Sequence, residues 1–251
     1  MPRIALTCEY DGSAFVGYQI QDNGRSVQQV LTEALEKLYK EEIKITGCSR
    51  TDAGVHARGH VSSADVPFYI PVEKLPLAIN ALLPQDLAVK KAVYVNGDFN
   101  ARFSSLGKRY VYRIYAAPIR SPLHASYAYY SSYEPDVDKM AQAAKLFEGE
   151  HDFAAFCAAG SSQHTTVRRL NSVNVERKDN TIEIEVQGEA FLYNMVRIIA
   201  GTLFYVGIGK IEVDEIADII ESRDRKTAGK TLPPEGLTLE EVYYDWDRYI
   251  V

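Results

Sequence analysis

Residues 26–38 read SVQQVLTEALEKL and give the strongest helix signal in the chain. Ser26 and Gln29 have the spacing of a capping box, in which the two side chains satisfy the first free backbone groups of a helix. The apolar residues recur at intervals of three and four, which places them on one face: Val27, Val30, Leu31, Ala34, Leu35 and Leu38. The sequence therefore predicts an amphipathic helix that begins near Ser26 and buries one face.

The flanking segments supply strands for this helix to cover. Apolar alternation and turn residues predict the order strand, helix, strand, strand, helix, strand over residues 3–10, 26–38, 43–46, 58–66, 72–83 and 87–95. This order is that of a ferredoxin-like, or RRM-like, half.

The remainder of the chain shows a similar pattern. Alternation predicts a strand over residues 108–116, with one face formed by Tyr110, Tyr112 and Ile114. The further predicted elements are a helix capped by Asp136 and ending at Gly149, strands over 170–177 and 181–187, helices over 190–206 and 213–221, and a strand over 237–244. We therefore predict an α+β fold of two ferredoxin-like domains, residues 1–104 and 105–251, with mainly antiparallel sheets.

Composition restricts the class of protein. An apolar fraction of 46% is enough to bury a core and excludes a disordered tail or a collagen-like repeat. Residues 1–12 carry too short an apolar run for a secretory signal, and charged residues interrupt the apolar stretch 195–209 before it reaches the roughly 20 residues of a membrane span. The three cysteines form no CxxC pair, which argues against a disulfide framework and a zinc site. We expect a soluble, cytoplasmic protein.

Charge is unevenly distributed along the chain. The net charge is −6, yet residues 99–133 contain five basic residues, nine aromatic rings and no carboxylate, so the rest carries −11. A second acid-free run over residues 153–175 adds Arg168 and Arg169. Basic and aromatic side chains together are typical of surfaces that bind single-stranded or looped RNA. The alternative interpretation is a tyrosine-rich sheet with a solvated basic face.

One segment combines glycines and charged groups without apolar periodicity. Residues 47–57 read GCSRTDAGVHA and connect two predicted strands. Loops that are positioned by a rigid scaffold often carry catalytic residues, and Arg50 and Asp52 are the candidates here. An aspartate beside a glycine is also a common turn former, so physical reasoning alone leaves both interpretations open.

Residues 50–57 resemble the RTDAGVHA signature of the TruA family of tRNA pseudouridine synthases, and further family blocks follow in the same order. These blocks are Ser26-Val27-Gln28, Phe103-Ser104, KRYVY (108–112), HDFAAF (151–156), FLYNMVR (191–197) and PEGL (234–237). The resemblance covers essentially the whole chain and is much more specific than one short motif. The chain departs from the family at Cys48-Ser49, where Ala-Gly is common, and at Asn194, where His is frequent. These departures concern the substrate range rather than the type of reaction.

The resemblance implies an isomerase that converts uridine to pseudouridine at positions 38 to 40 of the tRNA anticodon stem-loop. It further implies a homodimer that binds tRNA, with the two halves of the chain flanking a central basic RNA-binding cleft. No metal and no other cofactor is implied. His56 and His60 are four residues apart, but no helix pattern or third ligand accompanies them.

The resemblance also assigns three catalytic residues. Asp52 matches the catalytic aspartate, as nucleophile or as the base of a glycal route, and a carboxylate suits both roles. Arg197 matches the arginine that pairs with this aspartate and keeps it ionised; the alternative is an arginine extending from an apolar helix. Tyr110 matches a tyrosine that stacks on the uracil and assists proton transfer; the alternative is a buried strand residue.

Further residues are implied to bind the substrate. Arg50 matches an arginine that enters the RNA stack when the target uridine leaves it, with a phosphate contact as the alternative. Four basic residues are predicted to contact the RNA backbone: Lys108, Arg109, Arg168 and Arg169.

Two other classes of function remain as alternatives. One is a non-catalytic RNA-binding protein, against which the intact Asp52, Tyr110 and Arg197 argue. The other is a carboxylate-based nucleosidase, which would need a second positioned acid that the sequence does not show. The segment Gly229-Lys230-Thr231 resembles the end of a phosphate-binding loop but lacks the preceding glycine and strand.

Overall fold

The computed structural model describes residues 1–160 and 165–251, whose backbone contacts divide the chain into two compact units. The first unit comprises Met1–Leu106 and Leu239–Val251, and the second comprises Gly107–Thr238. Both units combine helices with mostly antiparallel strands, which confirms the predicted mixed α+β class.

The predicted helices and strands occur in the predicted order with several differences in length, and three short elements that were not predicted lie at Tyr129–Ser131, Gly149–Asp152 and Trp246–Tyr249. In chain order the helices and strands are β1 (Arg3–Tyr10), α1 (Val27–Tyr39), β2 (Ile45–Gly47), β3 (His56–Asp65), α2 (Leu75–Asn80), β4 (Leu87–Val95), β5 (Gly107–Ala116), β6 (Tyr129–Ser131), α3 (Val137–Lys145), β7 (Gly149–Asp152), β8 (Val167–Lys178), β9 (Thr181–Gly188), α4 (Met195–Gly207), α5 (Glu215–Ser222), β10 (Leu237–Tyr243) and α6 (Trp246–Tyr249).

The sheet of the first unit is built around β1. This strand pairs antiparallel with β4 on one side and with β3 on the other, and β2 pairs antiparallel with the last residues of β3. Strand β10 is hydrogen-bonded to β3 as well. The predicted limits of β1 and β4 are confirmed because both strands alternate clearly in the sequence.

Helix α1 begins where the sequence predicts. The Ser26 hydroxyl oxygen accepts a hydrogen bond from the Gln29 amide at 3.3 Å. The helix ends at Tyr39, and the next residue, Lys40, has a left-handed backbone (φ 60°). Its buried face consists of Val27, Leu31, Ala34, Leu35 and Tyr39. The predicted amphipathic helix is therefore confirmed.

Helix α2 is shorter than the predicted helix over residues 72–83. Pro76 lies in its first turn, where the missing amide hydrogen costs nothing. The Asn80 side chain at its end donates to the Val89 carbonyl at 2.9 Å and accepts from the Val89 amide at 2.8 Å. These bonds join the end of α2 to β4.

The C-terminal residues pack with the first unit, whereas the predicted second domain, 105–251, includes them. The ring of Phe99 lies 5.2 Å from Tyr244, 5.5 Å from Trp246 and 5.2 Å from Tyr249, centroid to centroid. Aromatic contacts of this kind bury a large apolar area in a defined geometry. They place Leu239–Val251 against the strands that precede residue 104.

The second unit has the strand order β5, β9, β8, β7, all antiparallel, and the short β6 pairs parallel with β5. The predicted hairpin of β8 and β9 turns at Asp179, whose φ is 55°. On β5, Tyr110, Tyr112 and Ile114 are buried as the alternation predicts. The predicted cap of α3 is confirmed, since Asp136 accepts from the Lys139 amide at 3.0 Å. The predicted end at Gly149 is wrong: α3 ends at Lys145, and Gly149, whose φ is 101°, begins β7.

Helix α4 begins five residues later than predicted. Asn194 has a left-handed backbone (φ 60°, ψ 9°), which is incompatible with a continuing α-helix, so the helix starts at Met195. Its apolar residues are buried almost all round, although it is only 13 residues long. Within the described ranges, no helix is both long and apolar enough to cross a membrane.

Candidate active site

The loop that carries Asp52 runs between β2 and β3 and is fixed through its backbone. Asp52 forms an isolated antiparallel bridge with Gly17. On either side of it, the Tyr18 amide donates to the Thr51 carbonyl at 3.1 Å and the Gly54 amide donates to the Phe15 carbonyl at 3.3 Å. The segment between β1 and α1 therefore holds the loop along its length.

Side chains of the strands hold the same loop from the sheet. The Tyr10 hydroxyl lies 2.9 Å from the Thr51 hydroxyl, and this pair is buried. The Nε2 atom of His60 lies 3.0 Å from the Ser49 carbonyl oxygen, so His60 donates there. The His60 ring also stacks on the Tyr18 ring, with a centroid distance of 4.0 Å.

His56 closes the loop at its far end. Its Nδ1 accepts a hydrogen bond from the Gly12 amide at 3.1 Å, and the Asp11 carboxylate lies 3.3 Å from the same nitrogen. Both contacts join His56 to the residues that directly follow β1. His56 and His60 therefore have structural roles in this loop.

Two glycines allow the close approach of these segments. A Cβ at Gly17, where φ is +115°, would lie 2.6 Å from the Thr51 carbonyl oxygen. A Cβ at Gly12 would overlap the Val55 carbonyl. Only glycine fits between backbones at this distance.

The two charged residues of this loop, Asp52 and Arg50, differ in their exposure and in their contacts. Asp52 is half-buried, with its main chain fixed by the bridge to Gly17. Arg50, two residues earlier, is exposed, and in the part of the chain that the structure describes no hydrogen bond or ion pair holds its guanidinium. The loop thus presents one positioned carboxylate and one solvated cation.

Arg197 lies in the first turn of α4, in the second unit, and is half-buried. Its Nε donates to the Leu232 carbonyl at 2.7 Å, and its Nη1 donates to the Asn194 side-chain oxygen at 2.6 Å. The Leu232 amide donates back to the Arg197 carbonyl at 3.3 Å. The alternative of an arginine that extends freely into solvent does not fit these contacts.

The segment Gly229–Leu232 lies directly on α4 and supplies the Leu232 acceptor. The Gly229 amide donates to the Thr202 hydroxyl at 2.9 Å, and a Cβ at Gly229 would lie 2.6 Å from the main chain of Gly201. Lys230 donates to the Tyr129 hydroxyl at 2.7 Å. The glycine of the Gly229-Lys230-Thr231 motif thus serves helix packing.

Tyr110 lies on β5 and is 6% exposed. Its ring meets the Phe191 ring edge to face, at 5.0 Å between centroids. Phe191 precedes α4, so this contact fixes the start of α4 against β5. The next inward residue, Tyr112, donates to the Pro233 carbonyl at 2.7 Å, and burial raises its pKa, which keeps the hydroxyl protonated for this bond.

The two predicted RNA ligands on β5 have surroundings that differ from those of a solvated phosphate ligand. Lys108 and Arg109 are both half-buried. The Arg109 Nη1 lies 3.0 Å from a Glu185 carboxylate oxygen on β9. An RNA phosphate would compete with this carboxylate for Arg109.

The two predicted RNA ligands on β8 differ from each other in their surroundings. The Arg168 Nη1 donates to the carbonyls of Thr165 at 3.0 Å and Val167 at 2.6 Å, and burial lowers the pKa of its guanidinium. Arg169 is exposed. Of the predicted backbone ligands on β8, Arg169 is thus the accessible one.

The structure shows site residues that sequence reasoning missed. Asn194 and the Leu232 carbonyl hold Arg197, while His56, His60 and Gly17 hold the Asp52 loop. A lone glycine among apolar and aromatic residues signals close backbone approach, so Gly17 could have been found from the sequence. A backbone acceptor 35 residues away from Arg197 gives no such signal.

The predicted site residues are distributed over both units. Arg50 and Asp52 belong to the first unit. The second unit holds Tyr110, Arg197 and the four predicted RNA-backbone ligands, Lys108, Arg109, Arg168 and Arg169. The pairing of Asp52 with Arg197 stays a prediction.

Comparison with known proteins identifies the family. A family model described as tRNA pseudouridine synthase matches residues 7–104 and 143–245. The tRNA pseudouridine synthase A of Ruminiclostridium cellulolyticum is 48% identical over 97% of this chain and 100% of its own length, and that of Acetivibrio thermocellus is 46% identical over the same shares. The Bacillus subtilis protein of that name is 44% identical over 97% of this chain and 99% of its own length.

A solved structure, a Cbf5–Nop10–Gar1 complex, matches more distantly. The TM-score is 0.37 at 12% identity, over 95% of this chain and 57% of that chain, which is too low to establish a shared fold. The full-length sequence matches are decisive by contrast: the chain belongs to the tRNA pseudouridine synthase A family, whose members are isomerases.

Proposed function

We propose that this protein isomerises uridine to pseudouridine at positions 38 to 40 of the tRNA anticodon stem-loop. The observation that carries the proposal is the Arg50–Ala57 loop, in which Asp52 is positioned by backbone contacts, in a chain that matches its family over its full length. Conversion to pseudouridine requires that the bond from uracil N1 to ribose C1′ breaks, that the base rotates and that a bond from C5 to C1′ forms. The C5 proton is then lost and N1 takes up a proton, so the product is an isomer of the substrate.

Asp52 acts on the ribose in this proposal. As a nucleophile its carboxylate bonds to C1′ while N1 leaves, and as a base it removes the C2′ proton to give a glycal. Both routes need an ionised carboxylate of fixed position, and the bridge to Gly17 fixes its main chain.

Arg197 and Tyr110 complete the proposed catalytic set. A guanidinium beside Asp52 would favour its ionised form, and the two acceptors on Arg197 fix the plane of that guanidinium. Tyr110 would stack on the uracil and assist removal of the C5 proton. Its edge contact with Phe191 supports this role by fixing the ring.

Arg50 is proposed to fill the space that the flipped uridine leaves in the RNA stack. Its exposure and its planar cation suit this role, since flipping a base costs a few kcal/mol that a stacked guanidinium can partly offset. Lys108, Arg109, Arg168 and Arg169 are proposed to contact phosphates, and the accessible Arg169 has the best support among them.

The remaining parts of the proposal concern the assembly. We propose two ferredoxin-like halves that flank a basic RNA-binding cleft, a homodimer, a cytoplasmic location and a reaction without metal or cofactor. The strand pairing of the first unit, with β1 between β4 and β3 and β2 at the end of β3, supports the ferredoxin-like pattern there.

The test is nucleotide-resolution mapping of pseudouridine after incubation with unmodified tRNA. The wild type should modify positions 38 to 40, whereas Asp52→Asn should bind tRNA normally and form no pseudouridine, because an amide is neither nucleophilic nor basic. Asp98→Asn, at an exposed position of the same unit, is the control that should keep full activity. Turnover by Asp52→Asn near the wild-type rate would refute the catalytic role, and release of free uracil would indicate a nucleosidase instead.

A further inference from the structure

Asn194 is placed as a helix cap but does not act as one. It precedes the first residue of α4, where an Asn side chain ordinarily accepts a hydrogen bond from an amide of the first turn. Here no such bond forms, and the backbone is left-handed rather than extended. The side-chain oxygen instead accepts from the Arg197 Nη1 at 2.6 Å.

The left-handed backbone explains why the acceptor reaches this position. Among residues with a Cβ, Asn tolerates φ near +60° better than most, so the site favours Asn, Asp, His or Gly over other residues. The Asn194 carbonyl still accepts from the Ile198 amide at 3.0 Å, so the helix begins normally while the side chain is directed to Arg197.

Two separate acceptors define the orientation of the guanidinium. The Leu232 carbonyl takes Nε at 2.7 Å and Asn194 takes Nη1 at 2.6 Å, on different nitrogens of one planar group. A planar cation held at two nitrogens can neither rotate about its long axis nor swing away from the helix. The Leu232 acceptor is a main-chain carbonyl in a segment packed on α4, so no substitution at Leu232 removes it. The Asn194 acceptor is a side chain, so a substitution at Asn194 does remove it.

We propose that Asn194 is a positioning residue that orients Arg197 for the reacting aspartate. This inference rests on the proposed function, because it needs Arg197 to act on Asp52. It adds to that function a residue that controls the rate of the chemical step without contacting the RNA.

Asn194→Gly removes the acceptor and keeps the backbone, since Gly adopts positive φ without strain. The single-turnover rate constant should fall about 10- to 100-fold, because a misplaced catalytic group costs rate rather than affinity. The dissociation constant for tRNA should not change. The matched control is Asp179→Gly, another non-glycine residue with a left-handed backbone (φ 55°), in the β8–β9 turn, which should keep the wild-type rate.

Asn194→His gives a readout that a merely structural role would not affect. A neutral imidazole can place Nδ1 near the position of the Asn oxygen and accept from Arg197, whereas an imidazolium cannot accept at all. The rate of this variant relative to the wild type should therefore rise between about pH 5.5 and pH 8, around an ordinary histidine pKa. If the pH profile of Asn194→His is parallel to that of the wild type, the proposal is wrong. This test does not depend on Asn194→Gly, so it holds even if that variant is less stable than its control.

The variant Arg197→Lys distinguishes a failure of this inference from a failure of the proposed function. A defective Arg197→Lys beside a fully active Asn194→Gly overturns the positioning role alone. A fully active Arg197→Lys, or a wild type that forms no pseudouridine, overturns the proposed function and this inference with it. A defect in both variants, with rescue by Asn194→His at high pH, supports the positioning role.

Discussion

Replacing Gly17 with alanine tests whether the close approach of backbones at the Asp52 loop controls activity. At Gly17, φ is +115°, a conformation that residues with a Cβ rarely adopt. The added Cβ would lie 2.6 Å from the Thr51 carbonyl oxygen and 3.3 Å from the Asp52 carbonyl carbon. Both are main-chain atoms, so no side chain can rotate to relieve the contact.

The magnitude follows from the geometry. An ordinary contact begins at 3.4 Å, so the loop must move by about 3.4 − 2.6 = 0.8 Å, or Gly17 must move by the same amount. The strained backbone adds about 1–3 kcal/mol of destabilisation. A displacement near 1 Å at a catalytic group lowers the rate on the order of 100-fold, so we expect that loss in the single-turnover rate constant of Gly17→Ala.

The assay compares pseudouridine formation under single-turnover conditions, tRNA affinity and thermal unfolding for three proteins. Gly97→Ala is the matched control, because Gly97 lies in the same unit and an added Cβ there meets no atom within 4 Å. This control should keep the wild-type rate and affinity. If Gly17→Ala also kept the wild-type rate and stability, the loop would be free to shift, and its fixed position would not explain the catalytic role of Asp52.

Three further outcomes are expected. Affinity for tRNA should fall steeply with added salt, despite the net charge of −6, because phosphate contacts release counterions; a dissociation constant that does not change with salt would contradict the basic RNA-binding surface. The Arg25 guanidinium lowers the pKa of Asp86, so this ion pair stabilises the fold above the ordinary aspartate pKa of 3.8, and the stabilisation is lost as the pH falls below that value. The pair is partly exposed and contributes under about 1 kcal/mol. Asp86→Asn should therefore make the stability depend less on pH in that range, as measured by acid unfolding followed by circular dichroism. Arg50→Lys should lower turnover far more than binding, and a mismatch opposite the target uridine should partly restore the rate; equal deficits on paired and mismatched RNA would leave Arg50 as a phosphate contact.

The sequence correctly predicted the limits of elements that depend on residues within the element itself. The strands over residues 3–10 and 87–95 have the predicted limits because alternation and turn residues lie within the segments themselves. The return of the C-terminus to the first unit depends on contacts such as that of Phe99 with Trp246, which are far apart in sequence. The late start of α4 depends on the left-handed backbone of Asn194, which apolar periodicity does not reveal.

The candidate site shows the same division between local and distant causes. The resemblance of residues 50–57 to a family signature assigns chemistry to the Asp52 loop, whose residue types alone also fit an ordinary turn. The anchors that hold this loop come from distant segments of the fold. The basic residues are predicted as a group from composition, which carries no information about their partners. The Glu185 carboxylate beside Arg109 and the carbonyls around Arg168 depend on how the strands pair and how the chain enters β8.

In both units the candidate catalytic side chains are positioned by glycines that allow backbones to meet. Gly17 admits the backbone of the Asp52 loop, and Gly201 admits the segment that brings the Leu232 carbonyl to Arg197. A methyl group at either glycine would push against main chain, whose displacement moves a catalytic group directly. Loss of one surface charge removes only a screened interaction worth about 1 kcal/mol or less. Activity in this chain should therefore be more sensitive to alanine at these buried glycines than to the neutralisation of any single phosphate-binding lysine or arginine.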